Sequence, residues 1–146
     1  MTHSFECPEC GNPRGMFGEC RQCGSEDLPI PHSDTMVFNL KFDNPSAEEA
    51  LDRLTIGLRR ASEVGIKAMI LIHGYGASGE GGRIKWVVHD ALEKNYFSDR
   101  VDEYHFGEKT AFGSEAYHAL LRRRPGLKAY LKHFKEGNAG MTVLIL

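Results

Sequence analysis

The most informative segment for the architecture of this chain is Met69-Ile70-Leu71-Ile72-His73-Gly74-Tyr75-Gly76-Ala77-Ser78-Gly79. Its apolar half predicts a buried strand, and its glycines predict a tight turn directly afterwards. From Arg83 onward, apolar residues recur at helical spacing, which predicts an amphipathic helix after the turn. Such a strand, turn and helix present backbone N–H groups and the positive end of a helix dipole to an anion. We therefore expect an anion-binding loop here, with His73 at the end of the strand.

Strands and helices alternate on both sides of this segment. Strand patterns lie at 36–42, 67–72, 101–106 and 141–146, and helical patterns lie at 47–64 and 83–96. Ser46 and Glu49 form a capping box before the first helix, and Gly65 is suited to end it. A basic insert at about 107–136 holds two helical pieces broken at Pro125-Gly126. This order predicts an α/β chain whose parallel or mixed sheet is covered by helices.

Two cysteine knuckles precede this domain and hold all four cysteines of the chain. They are Cys7-Pro8-Glu9-Cys10-Gly11 and Cys20-Arg21-Gln22-Cys23-Gly24. Two C-x-x-C pairs a short loop apart supply the closed four-sulfur tetrahedron of structural zinc, with no open position for catalysis. A four-thiolate iron centre and a pair of disulfides are the alternatives. We predict a zinc ribbon at 1–28, a proline-containing linker at 29–35 and a larger domain at 36–146.

Composition narrows the class of protein. The 146 residues suffice for one ordinary domain with a small appendage, and the 41% hydrophobic content is typical of a globular chain. The net charge of −2 does not by itself indicate a nucleic-acid partner. We find neither an apolar leader nor a run of transmembrane length, so we expect a soluble, cytoplasmic protein with no membrane partner.

Three kinds of ligand suit the glycine-rich loop. An oxyanion loop of α/β-hydrolase type requires a serine in a G-x-S-x-G elbow, and the chain has none. A mononucleotide or dinucleotide loop is weakly supported, because neither a G-x-x-x-x-G-K-[ST] motif nor an in-register G-x-G-x-x-G motif is present. A polynucleotide phosphate remains, and two motifs favour it.

The loop and the last strand carry a family resemblance. Ile72-His73-Gly74-Tyr75-Gly76 resembles the H-G-x-G motif of the Smr (small MutS-related) domain, and 137–146 resembles that family's terminal G-x-A-G-x-T-x-V strand. The resemblance covers roughly 37–146. It implies a two-layer α+β fold of order β-α-β-α-β-β with a mixed four-stranded sheet, similar to the C-terminal domain of translation initiation factor three. It also implies binding to DNA or RNA and, in some members, endonuclease activity.

One motif of the family is altered. The family's first strand ends in L-D-x-H-G, and the matching residues here are Leu40-Lys41-Phe42-Asp43-Asn44. Lysine thus replaces the acid, and aspartate replaces the histidine. Hydrolysis needs a positioned nucleophile and stabilisation of developing charge, so binding is better supported than cleavage. If the protein cuts phosphodiesters, we expect His73 and Asp43 to be catalytic, with magnesium as a further cofactor.

Contacts to nucleic acid are predicted in the loop, in the following helix and in the basic insert. The residues are Gly74, Tyr75, Gly76, Arg83, Lys85, Arg122, Arg123, Arg124, Lys128 and Lys132. Aromatic and histidine side chains interleave with the insert cations, including Tyr130 and Phe134, and could stack on bases. The ordinary alternatives are a hydrogen-bonded structural histidine at His73 and a solvated charged surface on the insert.

We therefore expect a zinc ribbon joined to an Smr-like domain that binds DNA or RNA. The alternative is a non-catalytic adaptor that docks on a ribosome or a DNA-repair complex through its ribbon. The sequence leaves open the oligomeric state and the choice between DNA and RNA.

Overall fold

The computed structural model describes residues 5–74, 80–135 and 137–146. A small sheet contains β1 (Phe5–Glu6), β2 (Pro13–Arg14) and β3 (Ile30–Pro31). A larger sheet contains β4 (Thr35–Asn39), β5 (Ala68–Ile72), β6 (Glu103–Phe106) and β7 (Met141–Ile145). The helices are α1 (Ala47–Val64), α2 (Glu80–Glu93) and α3 (Glu115–Arg123), and 3-10 segments cover Gly107–Lys109 and Pro125–His133.

The larger sheet has the mixed topology that the sequence predicts. Its strand order is β4-β5-β7-β6, in which β4 and β5 are parallel and β7 is antiparallel to both β5 and β6. The crossover from β4 to β5 is α1, as expected for parallel neighbours. The carboxyl ends of β4 and β5 therefore lie at the same edge of the sheet as the start of β7.

Helical segments cover both faces of this sheet. On β5, Met69 and Leu71 belong to a core cluster with α1 and α2, whereas Ala68 and Ile70 belong to a second cluster with the insert. This division follows from the alternation of side chains along a strand. The insert contributes buried residues to the second cluster, namely Tyr117, Leu120, Leu127 and Phe134. The predicted two layers of sheet and helices are present, and the insert adds a third layer.

The first helix begins and ends where its sequence predicts. The Glu49 N–H donates to Ser46 Oγ, and the Ser46 N–H donates to the Glu49 carboxylate, each at 3.1 Å. Gly65 ends the helix at a φ of 92°, in the left-handed region that glycine adopts readily. The capping box and the predicted end of the helix are thus confirmed.

The second helix lies earlier in the chain than predicted. It covers Glu80–Glu93, whereas the apolar pattern predicts 83–96. Asn95 takes a φ of 61° and the Tyr96 N–H donates to the Ala91 carbonyl, which ends the helix before Tyr96. The apolar pattern misses the first turn because that turn contains Glu80-Gly81-Gly82 and no apolar residue.

The ribbon packs directly on the larger domain. Phe5 and Met16 are 4% and 5% exposed and belong to the same core cluster as Leu54 of α1. The Arg60 guanidinium on α1 donates to the Met16 carbonyl at 2.8 Å. Within the predicted linker at 29–35, Ile30 and Pro31 form β3 and pair with β1. The prolines of this segment predict a linker. The sequence does not reveal β3, because a strand of two residues has no alternating pattern to recognise.

No helix within the described ranges has both the length and the apolar composition that a bilayer span requires.

Candidate metal centre and nucleic-acid interface

The four cysteines meet at one point of the ribbon. All four sulfurs lie within 4.8 Å of one another, and Cys7 Sγ is 3.6 Å from Cys23 Sγ while Cys10 Sγ is 3.7 Å from Cys20 Sγ. A tetrahedral zinc ion with Zn–S bonds of about 2.3 Å separates its ligand sulfurs by about 3.8 Å. The spacing of the sulfurs is therefore compatible with a zinc site, and the predicted ligand set is brought together.

Each knuckle directs backbone N–H groups toward sulfur. Gly11 and Gly24 follow the knuckles with φ of 74° and 75°, and their N–H groups donate to the Cys7 and Cys20 carbonyls at 2.9 and 2.7 Å. The backbone N–H of Cys23, assisted by other hydrogen bonds, lowers the pKa of Cys20 to about 6 despite its burial. A thiol with a lowered pKa is readily converted to the thiolate that binds metal.

The pKa values of Cys20 and Cys23 are shifted in opposite directions. Although the Ser25 N–H lowers the pKa of Cys23, burial and hydrogen bonding to the other three sulfurs raise it to about 12. One thiol therefore keeps its proton when its neighbours are ionised, because adjacent thiolates repel one another. A divalent cation would remove that repulsion, so the donor set fits a metal such as zinc.

At the carboxyl edge of β5, His73 is fully buried at 0% exposure. Its Nδ1 lies 2.7 Å from the Gly74 carbonyl oxygen, so Nδ1 carries the proton and donates it. Its Nε2 therefore accepts, and it lies 2.8 Å from Thr142 Oγ1 on β7, whose hydroxyl donates. Burial lowers the pKa of His73. The ring is thus a neutral group with both nitrogens engaged.

A second histidine, His89 of α2, completes this buried polar cluster. Its ring stacks on Phe106 at a centroid distance of 3.7 Å and meets His73 edge to face at 5.6 Å. Its Nε2 lies 3.5 Å from Thr142 Oγ1. Burial, the nearby His73 and the positive charge of Lys85 lower the pKa of His89 to about 4. The sequence analysis missed His89 and Thr142, although His89 follows Val88 on the apolar side of α2.

The Gly74 backbone is held by Gly140, which directly precedes β7. The N–H groups of His73 and Gly74 both donate to the Gly140 carbonyl, at 3.0 and 2.9 Å. Gly74 takes a φ of 72°, and the Lys41 side chain lies across it. The Gly74 N–H is therefore engaged within the protein. The other predicted loop contacts, Tyr75 and Gly76, lie outside the described residues.

The two predicted catalytic residues have different environments. His73 is enclosed, whereas Asp43 is exposed in the turn between β4 and α1 with a φ of 64°. His73 bonds instead to Gly74 and Thr142, and no hydrogen bond joins the ring to Asp43.

The predicted cations of α2 also differ. Arg83 is exposed, but Lys85 is only 8% exposed and its Nζ lies 2.9 Å from a Glu108 carboxylate oxygen. Burial alone would raise the pKa of Glu108, but the hydrogen bond from Lys85 and its charge lower it overall. The Lys85 charge is thus neutralised within the protein.

The insert cations lie on the opposite layer from α2. Arg122, Lys128 and Lys132 are exposed, and Arg124 is half-buried. Arg123 forms ion pairs with Asp102 and with Glu103, the latter at 2.7 Å.

The predicted stacking residues of the insert are tied to the sheet. Phe134 is 1% exposed in the core beneath the insert, so the expectation that it stacks on bases is wrong. Phe134 lies on the apolar face of the insert that packs on the sheet, so the cations near it in the sequence do not make it accessible to a base. The Tyr130 hydroxyl donates to the Thr35 carbonyl at 3.1 Å.

Comparison with known proteins identifies a family. The family model described as the Smr domain matches residues 44–122, which is more than half of the chain. Among solved structures, the Smr domain of Thermus thermophilus MutS2 is similar at 22% identity and a TM-score of 0.46, over 76% of this chain and 96% of that one. No curated protein matches the sequence. On the strength of the family match, this chain belongs to the Smr domain family.

Proposed function

We propose that this protein binds DNA or RNA without cleaving it, at the sheet edge around Gly74 and on the exposed cations. Membership of the Smr family supports a nucleic-acid ligand. The absence of cleavage is inferred from the environment of His73, which is 0% exposed and has both ring nitrogens hydrogen-bonded.

We infer that His73 positions the backbone rather than acting in catalysis. A general base or acid must reach the attacking water or the leaving oxygen within hydrogen-bond distance. The His73 ring instead donates to the Gly74 carbonyl, and the Gly140 carbonyl accepts from the His73 and Gly74 backbone N–H groups. The imidazole therefore fixes the backbone at the start of the loop. Asp43 alone supplies neither a base–acid pair nor a complete metal site.

The ribbon is proposed to hold structural zinc through Cys7, Cys10, Cys20 and Cys23. When bound, zinc would supply four bonds in place of a hydrophobic core, which so short a segment cannot build. All four positions around the metal would be filled by sulfur, so the chemistry of the site is structural.

The proposal is tested with metal-loaded protein and labelled single-stranded, duplex and branched DNA and RNA, each with and without magnesium. We expect retarded, intact nucleic acid on native gels, with an affinity that falls steeply as salt rises, because released counterions dominate binding to phosphates. Magnesium-dependent cleavage that His73→Ala abolishes would overturn the proposal and make the protein an endonuclease.

The contribution of the insert is measured with matched triple variants. Replacing Arg122, Lys128 and Lys132 with alanine removes three exposed insert cations. Replacing Arg59, Lys67 and Lys94 with alanine makes the same change in net charge elsewhere on the surface. We expect only the first variant to weaken binding and reduce its salt dependence. Equal losses would show that net charge, rather than an insert surface, determines affinity.

A second candidate function is that of a protein adaptor, and one observation favours it. The ribbon region exposes three large apolar side chains, Phe17, Leu28 and Ile30, at 45%, 44% and 45%. Exposed apolar side chains mark protein-docking surfaces where they form a contiguous patch. A partner of the ribosome or of DNA repair that binds independently of salt, with no nucleic-acid affinity, would favour this function over the first.

A further inference from the structure

The turn between β4 and α1 places a lysine directly over the first glycine of the loop. A Cβ on Gly74 would lie 2.8 Å from Lys41 Cδ, 3.1 Å from Cε and 3.2 Å from Nζ. A side chain at this position would therefore displace the end of the Lys41 side chain. The absence of a side chain allows the lysine to cross the backbone, so that its ammonium ends beside Gly74.

Local hydrogen bonds hold the backbone of this turn. The Lys41 N–H donates to Asn39 Oδ1 at 2.8 Å, and the Asn44 N–H donates to the Lys41 carbonyl at 3.2 Å. From α1, the Arg53 guanidinium donates to the Phe42 carbonyl. The positions of Lys41 and Phe42 are thus fixed by groups on both sides of the turn.

The charge of Lys41 has different surroundings from the charges of Lys85 and Arg123. Lys85 is paired with Glu108, and Arg123 is paired with two carboxylates. Lys41 is exposed, and the ion pairs found among the described residues do not include it. An exposed ammonium on a fixed turn can contact a phosphate with little cost of desolvation.

Phe42 follows Lys41 and is 72% exposed, the highest value among the exposed large hydrophobic residues of the described chain. Its ring stands in water and belongs to neither core cluster. Aromatic rings presented in this way stack on bases, and neighbouring cations hold the phosphates. The pair therefore has the chemistry to bind one nucleotide and its linkage.

We propose that Lys41 and Phe42 form a binding pair for single-stranded nucleic acid. Lys41 contacts a phosphate beside Gly74, and Phe42 stacks on an unpaired base next to that phosphate. This inference rests on the proposed nucleic-acid function and adds a preference for single strands. The preference follows because the faces of paired bases inside a duplex are covered by their neighbours, whereas the faces of unpaired bases are accessible.

The test is fluorescence anisotropy with end-labelled oligo-dT, oligo-U and a DNA duplex of the same length. We expect Phe42→Ala to weaken single-strand binding about tenfold and duplex binding less than about twofold. Lys41→Ala should weaken single-strand binding about fivefold and lower the slope of log affinity against log salt by about 0.7, the value for one phosphate contact. Lys41→Arg should retain most of the affinity, and Lys41→Glu should lose more than alanine.

Two matched controls use side chains at other parts of the fold. Lys67→Ala removes an exposed lysine next to the opposite end of β5, and Tyr96→Ala removes an aromatic ring that is 62% exposed beyond the end of α2. Both should bind as the wild type does. Thermal unfolding of every variant confirms that the fold is intact, which is expected because all four side chains are exposed.

The outcomes separate this inference from the function on which it rests. Wild-type protein that binds none of the three probes would overturn the proposed function itself. Wild-type binding that both Lys41→Ala and Phe42→Ala leave unchanged would overturn only the pair. A Phe42→Ala variant that loses duplex and single-strand affinity equally would overturn the stacking role and the preference for single strands.

Discussion

In the ribbon, three strands of two residues each surround four cysteines, whereas the larger sheet has strands of four or five residues buried between helical layers. Among residues 5–31, the ribbon forms no core cluster of its own. Its buried Phe5 and Met16 instead join the cluster of α1 and α2. The sheet therefore depends mainly on apolar burial, and the ribbon depends on its sulfur site and on contact with α1. The contrast indicates that the two regions unfold for different reasons while sharing part of one core.

Metal removal is expected to have the largest effect on this contrast. Chelation should unfold the ribbon, since metal binding supplies structural zinc modules with about 10 kcal/mol or more. The melting temperature of the larger domain should fall as well, because Phe5 and Met16 would leave its core. Circular dichroism and amide hydrogen exchange measure the two regions separately. An unchanged melting temperature of the sheet would show that the regions are energetically independent.

A matched pair of truncations sharpens the same comparison. Met16→Ala removes a buried side chain from the ribbon, and Met36→Ala removes one from β4; they are 5% and 7% exposed and belong to one cluster. Each should lower the free energy of unfolding by about 2–5 kcal/mol. Denaturant unfolding measures both, with metal content as a control. If Met16→Ala costs nothing while Met36→Ala costs the expected amount, the ribbon contributes no stability to the shared core.

Acid should act on the sheet through its buried histidines. The pKa of His89 is about 4 in the folded protein against an ordinary value of 6.5, and the pKa of His73 is also lowered. As pH falls below about 6.5, the unfolded chain binds protons first, so the free energy of unfolding decreases by about 1.4 kcal/mol per pH unit for His89 until about pH 4.

The effect of acid on His89 is separated from loss of ribbon metal by comparing how the free energy of unfolding depends on pH in the wild type and in a His89 variant. His89→Gln removes one titrating ring and leaves the cysteines unchanged, so its free energy of unfolding should depend less steeply on pH than that of the wild type. Denaturant unfolding at several pH values between 4 and 7 provides the measurement. Identical slopes in the two proteins would mean that His89 does not stabilise the sheet as a neutral group.

The smallest expected effect comes from the hydroxyl between the histidines. Thr142→Val leaves His73 Nε2 without its donor in a buried site, which costs about 1–3 kcal/mol. Thr142→Ser keeps the hydroxyl and should cost less. Metal affinity of the ribbon should be the same in both variants. Equal stability of the valine and serine variants would show that the hydrogen bond from Thr142 to His73 does not stabilise the fold.

The sequence is sufficient to predict those parts of the molecule that follow a periodic or local pattern. The capping box of Ser46 and Glu49 and the four-cysteine cluster are local motifs, and each is found where it was predicted. The predicted start of α2 at residue 83 is wrong, because Glu80-Gly81-Gly82 contains no apolar residue to indicate a helix.

The environment of the site residues could not be derived in the same way. The burial of His73 depends on Thr142 and Gly140, which are more than sixty residues away in the chain. The pairing of Lys85 with Glu108 and the position of Lys41 over Gly74 likewise depend on contacts between separate elements. A charge pattern in the sequence cannot distinguish an exposed lysine from one that is already neutralised.

The central position of β7 has a consequence for the order in which the chain becomes structured. The strand pairs with β5 on one side and β6 on the other, so β6 has no partner in the larger sheet until residues 141–145 have been synthesised. Residues 5–31 leave the ribosome long before that and can bind metal first. A nascent chain halted between these stages would present unpaired edges of β5 and β6, which are sites for aggregation. Completion of the larger sheet is thus tied to β7, which follows its other three strands in the chain.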